Sequence, residues 1–206
     1  MARTSTGGFF PRGTISGRDY PATWNFIIGN SETISIGDIV RIATSGYIRR
    51  VTNRTNQIPL GICVGIVDRN GINVFSDRAT GLVGSELNTV DNQIVVSSTN
   101  QSNDQRNIKI QVHLDPAREI LWFNNANDDF AQTNLFQGFG ITTDFTSGSH
   151  RIDQATANDA TNQSTSEMQL IKLDPDGDGD ASKGLFRFVM TQIISDSTES
   201  TSFINT

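Results

Sequence analysis

The sequence predicts an all-β protein, an antiparallel barrel or sandwich. Three observations predict it. Apolar residues make up 35% of the 206-residue chain, and Ser, Thr, Asn, Gln and Gly fill the difference where a helical protein would carry more Ala, Leu, Glu and Lys. Short β-branched or aromatic runs recur about every ten residues with turn-forming residues between them. No helical stripe of apolar residues persists beyond two turns.

The elements follow in chain order. Met1 to Pro21 is polar, rich in Gly and Arg and without a period, so it reads as an extended arm. The pair Phe9-Phe10 is out of character there and needs something to bury against, either the arm's own domain or a neighbouring subunit. Folded structure begins at Ala22 to Gly29, with Trp24, Phe26 and Ile28 on one face by period-two alternation. The segment Ile34 to Val67 is the organising stretch. It predicts strands at Ile36–Ile42, Tyr47–Val51 and Ile58–Val67, separated by the turn Thr44-Ser45-Gly46 and the polar loop Thr52 to Gln57. Asn70-Gly71 predicts a hairpin turn, with Ile72 to Phe75 returning.

Beyond this lie a short element at Thr80 to Ser85, a strand at Ile94–Val96 and the polar loop Ser97 to Arg106. Asn107 to Leu114 alternates cleanly, with Ile108, Ile110, Val112 and Leu114 inward and His113 outward. Glu119 to Phe123 and Phe139 to Thr143 read as strands. Phe130 to Phe136 fits neither period, and Arg151 to Asp153 is a short strand before the polar loop Thr156 to Thr165. Ser166 to Leu173 alternates, less tidily at Ile171 and Leu173. Leu185 to Ile194 is a strong closing strand, and Ser195 to Thr206 a polar tail.

Net charge is -6 and the pI about 4.8, a poor match to nucleic acid, which demands clustered Lys and Arg. Arg3, Arg12 and Arg18 sit early, against Asp19 alone, and Asp174, Asp176, Asp178 and Asp180 sit late. That asymmetry suits head-to-tail contact between copies, or is ordinary surface variation. Cys63 is the single cysteine, so no internal disulfide forms, and its setting in Leu60-Gly61-Ile62-Cys63-Val64-Gly65-Ile66 is that of a small buried hydrophobe. The N-terminus lacks the apolar region of a secretory signal, and no run reaches the roughly eighteen apolar residues of a membrane span. The expectation is a soluble chain made in a cytosol, with no membrane partner.

Few constellations carry chemistry. Asp174-Pro175-Asp176-Gly177-Asp178-Gly179-Asp180 is an oxygen-rich turn of the kind that suits Ca²⁺. Its opening matches a calcium loop, but Leu185 stands where the bidentate Glu of a helical hand belongs. An irregular calcium turn using Asp174, Asp176, Asp178 and Asp180 therefore stands beside a solvated acidic hairpin tip. No other cofactor is implied. His113 and His150 have no neighbouring ligand at metal spacing, and no nucleophile elbow, phosphate loop or dinucleotide fingerprint is present. Trp24 and Trp122-Phe123 either stack on sugars or fill a core.

The residues Gly37-Asp38-Ile39-Val40, Ser45-Gly46-Tyr47-Ile48 and Pro59-Leu60-Gly61-Ile62-Cys63-Val64-Gly65-Ile66 form a pattern that resembles the head-decoration (cement) proteins of tailed bacteriophages. The resemblance covers about forty residues, and the rest agrees in texture alone. It implies a small β-barrel or β-tulip-like region over 22–83 and, given the chain length, a second β-sandwich-like region over 84–194. The arm 1–21 and the tail 195–206 would flank them. It implies a non-enzymatic structural protein of the virion, on the outer capsid surface. The partner would be the major capsid protein, and the protein a homo-oligomer with a trimer favoured. Arg3, Phe9, Phe10, Arg12 and Arg18 of the arm would be the capsid contacts. The alternative is a glycan- or receptor-binding β-module of a head fibre or tail spike. A β-sandwich hydrolase is the third reading, and it lacks an acid/base constellation in the sequence.

Overall fold

The computed structural model describes residues 8–52, 57–74, 87–88, 93–96, 108–141, 150–158, 166–189 and 191. The expected element Thr80 to Ser85, the loop Ser97 to Arg106, the tail Ser195 to Thr206 and Arg3 lie outside them. The described residues form strands in three antiparallel sheets, so the protein is all-β. The region Phe130 to Phe136 contributes a single 3-10 turn, Gln132–Asn134. Among the described residues no helix is long and apolar enough to cross a membrane.

The centre of the molecule is a five-stranded sheet. It uses β2 (Thr23–Ile27), β4 (Ile39–Ile42), β5 (Ile48–Arg50), β6 (Gly61–Val67) and β9 (Lys109–Leu114), in the order β2-β9-β6-β4-β5. The nearly continuous apolar run of β6 is explained by burial on both faces. Ile62 and Val64 face one core, and Cys63 and Ile66 the other. A bulge between Cys63 and Gly65 inserts Val64 and resets the alternation for the remainder of the strand. Ile108, Ile110, Val112 and Leu114 of the cleanly alternating segment all enter the second core, together with Ile28, Val40 and Ile48. A small sheet of β3 (Thr33–Ser35), β7 (Leu87–Asn88) and β8 (Gln93–Val95) covers that core, with Ile34 paired to Ile94.

A six-stranded sheet packs on the other face. It contains β1 (Phe10–Thr14), β10 (Ile120–Asn125), β11 (Gly138–Ile141), β12 (Ile152–Asn158), β13 (Met168–Leu173) and β14 (Lys183–Phe188), ordered β1-β10-β14-β13-β11-β12. Trp122, Phe139, Met168, Leu170, Phe186 and Phe188 point from it onto Ile39, Val51 and Ile62 of the central sheet. The untidy alternation at Ile171 is a bulge: register shifts between Leu170 and Lys172, which returns Leu173 to the core side.

Several expectations are corrected. Among the described residues no sheet closes into a barrel. The five-stranded sheet curls until its outer strands meet at one corner, through a single parallel bridge between Ile28 and Ile48 and the Gly29 amide donating to the Ile48 carbonyl at 2.8 Å. The boundary at 84 does not separate the sheets, since β9 lies between β2 and β6 in the first sheet and β1 at the edge of the second. Nor is 8–21 a free arm, because Phe10–Thr14 is laddered to β10. The run Ile36–Ile42 is broken at Gly37, whose φ of +95° and lack of a side chain let Gly8 and Phe9 cross it; a Cβ there would lie 2.7 Å from the Gly8 Cα. The hairpin after β6 shows no ladder of its own among the described residues, which end here at Val74. The Asp68 carboxylate takes the amides of Asn70 (2.8 Å) and Ile72 (3.0 Å), and the returning chain pairs through the Val67–Asn73 bridge and the Val74 amide donating to the Ile66 carbonyl at 3.0 Å.

Candidate functional site

Four of the five expected contact residues, Phe9, Phe10, Arg12 and Arg18, lie within the described residues, and the structure gives them different surroundings. Phe9 is 1% exposed and meets Phe186 edge-to-face at 6.5 Å, inside the core between the two large sheets. Its amide donates to the Gly37 carbonyl at 2.9 Å. Phe9 is therefore an internal anchor, because a ring this deep has no surface left for a neighbour. Phe10 is half-buried on β1 opposite Phe123. Arg12 lies over the Phe123 ring at 5.0 Å and reaches Asp176 at 3.4 Å. Arg18 is exposed, and its carbonyl accepts from the Thr14 hydroxyl at 2.7 Å.

The Arg12–Asp176 pair brings the basic early segment and the late acidic turn onto one end of the six-stranded sheet. The asymmetry in the sequence is thus partly spent inside one copy. As an exposed pair it adds little stability. Within the turn, the four aspartates do not converge. The Asp174 carboxylate accepts from the amides of Gly177 (3.0 Å), Asp178 (3.2 Å) and Gly179 (2.9 Å), and holds the tip in shape. Asp178 and Asp180 face Lys183, and Asp180 also accepts from the Ser182 hydroxyl at 2.7 Å. The hydrogen bond from Lys183 lowers the Asp178 pKa, the Ser182 hydrogen bonds lower that of Asp180, and that of Lys183 rises in response to Asp178. Among the described residues no group of three or more His, Cys, Asp or Glu side chains is arranged to hold a metal ion. Backbone amides and one ammonium hold the positions where a cation's charge would act.

A different cluster unites residues that the sequence keeps far apart. Asp38, Arg50 and His150 are all buried. Arg50 Nε lies 2.9 Å from Asp38 Oδ2, and its Nη2 donates to Oδ1 at 3.0 Å. Asp38 also accepts from the amides of Ser35 (2.8 Å) and His150 (2.9 Å). The Ile39 amide donates to His150 Nδ1 at 2.8 Å, which requires a lone pair on that nitrogen and hence a neutral ring. Burial, and then the charge of Arg50, push the His150 pKa well below its ordinary value. Burial pushes Asp38 up to about 6, against the pull of Arg50 and the two amides.

The cluster is a sealed fastener. The His150 carbonyl accepts from the Gly8 amide (2.9 Å) and the Asn124 side chain (3.2 Å), so it ties the chain start, β10 and the entry to β12 to the β3–β4 turn. Its acid, base and cation have no solvent-facing side on which a substrate could sit. Sequence reasoning missed it because Asp38 and His150 lie 112 positions apart. The one signal was Asp38 directly after a glycine at a strand start.

The remaining chemical candidates are structural. Cys63 is fully buried, and burial raises its thiol pKa far from the reactive range. His113, expected to face outward, lies between Tyr20 (5.8 Å) and Trp122 (6.2 Å), because the six-stranded sheet covers what would otherwise be a solvent face. Trp122 is fully buried, whereas Trp24 is 60% exposed. Comparison with known proteins returns no matching family model, no matching curated protein and no matching solved structure.

Proposed function

We propose that this protein is a structural component of a phage virion, a decoration protein that binds the outer capsid surface and staples neighbouring major capsid subunits as a homo-oligomer. The observation that carries the reading is the use of the Asp38–Arg50–His150 cluster. The most concentrated acid–base chemistry among the described residues is sealed in the core and joins the layers. The segment that resembles the decoration family, Gly37 to Ile66, forms the hub of the body, through β4, β5 and β6 of the central sheet. A stapler needs a rigid body and exposed contacts, and no reactive group.

On this reading Phe9 and Phe10 keep β1 on the body, and Arg18, with Arg3 outside the described residues, supplies charge toward an acidic capsid surface. The test is co-sedimentation of the purified protein with expanded capsids stripped of it. Saturable binding is expected, weakened at least several-fold by Arg3→Glu with Arg18→Glu. Absence of binding overturns the proposal. One observation favours the second reading, a glycan- or receptor-binding β-module: the exposed Trp24 is available for stacking on a sugar. Glycan-array binding abolished by Trp24→Ala would favour it over decoration.

A further inference from the structure

Of the ladder pairs among the described residues, one sets like charges face to face: Arg41 of β4 stands opposite Arg49 of β5. Direct opposition of like charges costs stability in an antiparallel ladder. On the same face, the next pair along, Ile39 and Val51, is buried between the two large sheets. The two arginines are half-buried, so they stand at the rim of that packing.

Their charge is only partly met. Arg49 Nη1 reaches Glu32 Oε1 at 3.3 Å, whereas no ion pair joins Arg41 to an acid among the described residues. The Nε atoms of both arginines are shut off from solvent and have no hydrogen-bond partner among the described residues. Glu32 has a second task, since its Oε2 accepts from the Arg50 amide at 3.4 Å. Burial raises the Glu32 pKa, against the pull of that amide and of Arg49. Burial, and then the charge of Arg49, lower the Arg41 pKa, with Glu32 acting the other way. The next cation, Arg50, is spent on Asp38. Two guanidinium charges therefore share one carboxylate, in a body whose net charge is -6.

The group is held in place by the backbone. Gly29 lies at the corner where the end of β2 meets β5. A Cβ there would lie 3.3 Å from the Ile48 carbonyl oxygen and 3.4 Å from the Cγ atoms of both Arg49 and Glu32, so a glycine lets the two stems close together.

We infer that Arg41 and Arg49 form a carboxylate-binding site, in which Glu32 offsets one of the two positive charges and so sets the site for a monoanion. The planar guanidinium fork matches the planar carboxylate. An anion held by both groups offsets their mutual repulsion and the cost of burying donors without partners. A phosphate dianion fits less well, because its second charge meets Glu32. The site is independent of capsid binding and is tested without capsids.

The experiment is a titration of the full chain with acetate, followed by proton–nitrogen NMR of the arginine side-chain N–H groups, at an ionic strength held constant with sodium chloride. The Arg41 and Arg49 signals should shift to saturation, and chloride alone should not reproduce the shift. Arg41→Gln should abolish it, and without acetate should melt no lower than the parent, since it removes the like-charge contact. Glu32→Gln keeps an acceptor for the Arg50 amide and removes the opposing charge, so it should tighten binding at least several-fold. It tests the site even where Arg41→Gln fails to fold. A blocked aspartate peptide is the second probe: binding tighter than that of acetate assigns the carboxylate to a protein chain, and binding no tighter assigns it to a free acid. A shift that never saturates, a shift produced equally by chloride, or weaker binding by Glu32→Gln overturns the inference. So does a saturable acetate shift that persists undiminished in Arg41→Gln.

Discussion

The two cores on either side of the central sheet are built from different residues. The core enclosed by the curled five-stranded sheet is aliphatic: Ile28, Ile34, Val40, Ile48, Ile66, Ile94, Ile110 and Val112. The core between the two large sheets adds six buried aromatic rings, Phe9, Trp122, Phe130, Phe139, Phe186 and Phe188, to aliphatic residues such as Ile39, Ile62 and Leu170. The difference follows from geometry. A strongly curled sheet leaves a narrow interior, which branched side chains of fixed rotamer fill. Two sheets packed face to face are about 10 Å apart and need longer side chains from each to interdigitate. Phe130 sits edge-on to Phe139 at 5.2 Å and tilted against Phe186 at 5.7 Å, so these rings form a connected cluster. The aromatic core thus holds one sheet onto another, and the aliphatic core holds one sheet in its curl.

Phe186→Ala gives the largest expected effect and the sharpest break between the two. It removes a ring touching Phe9, Trp122's neighbours and Phe130 at once, and should cost about 3–5 kcal/mol in urea unfolding. The six-stranded sheet should lose hydrogen-exchange protection ahead of β6 and β9. Simultaneous loss in both would show that the cores are one unit.

The fastener between the cores is tested by pH. His150 has a folded-state pKa below its ordinary value, so its share of stability is complete above about pH 6.5 and is lost as pH falls. Asp38 has a folded-state pKa of about 6, above its ordinary 3.8, so its share is complete below 3.8 and is lost as pH rises through about 6. Below about pH 6 the two oppose each other. Asp38→Asn should cost about 3 kcal/mol near neutrality, by leaving the Arg50 charge buried without its partner. With His150 then unopposed, the variant should lose stability more steeply than the parent as pH falls below about 6, by up to about 1.4 kcal/mol per pH unit. Parallel pH profiles would remove the cluster from its role. Ile110→Val, within the aliphatic core, is the smallest change, about 1 kcal/mol, and should leave sheet-to-sheet protection unchanged.

Legibility in the sequence tracked the locality of the cause. The alternation at Ile108 to Leu114 and the strand at β6 were readable because each is written in the run's own residues, whereas the burial of β6 on both faces emerges with the two cores. The disturbance at Ile171 was visible as broken alternation, and the bulge explains it. The strand at Phe10–Thr14 was not readable, since its Pro and Gly argue against a strand and only an edge position next to β10 tolerates them. The fate of the two tryptophans was likewise set by neighbours: Trp122 lies under a second sheet, and Trp24 lies at an edge. The Asp38–Arg50–His150 cluster joins residues through the tertiary fold alone, and no spacing rule finds it.

On the proposed reading this molecule works by its shape, gripping a repeating protein surface. Electron microscopy of the purified source particle is the decisive measurement. Density for this all-β body is expected on the outside of the capsid, in regular contact with neighbouring capsid subunits. Particles without that density on the capsid exterior, with the protein confined to a tail or fibre or missing altogether, would contradict it.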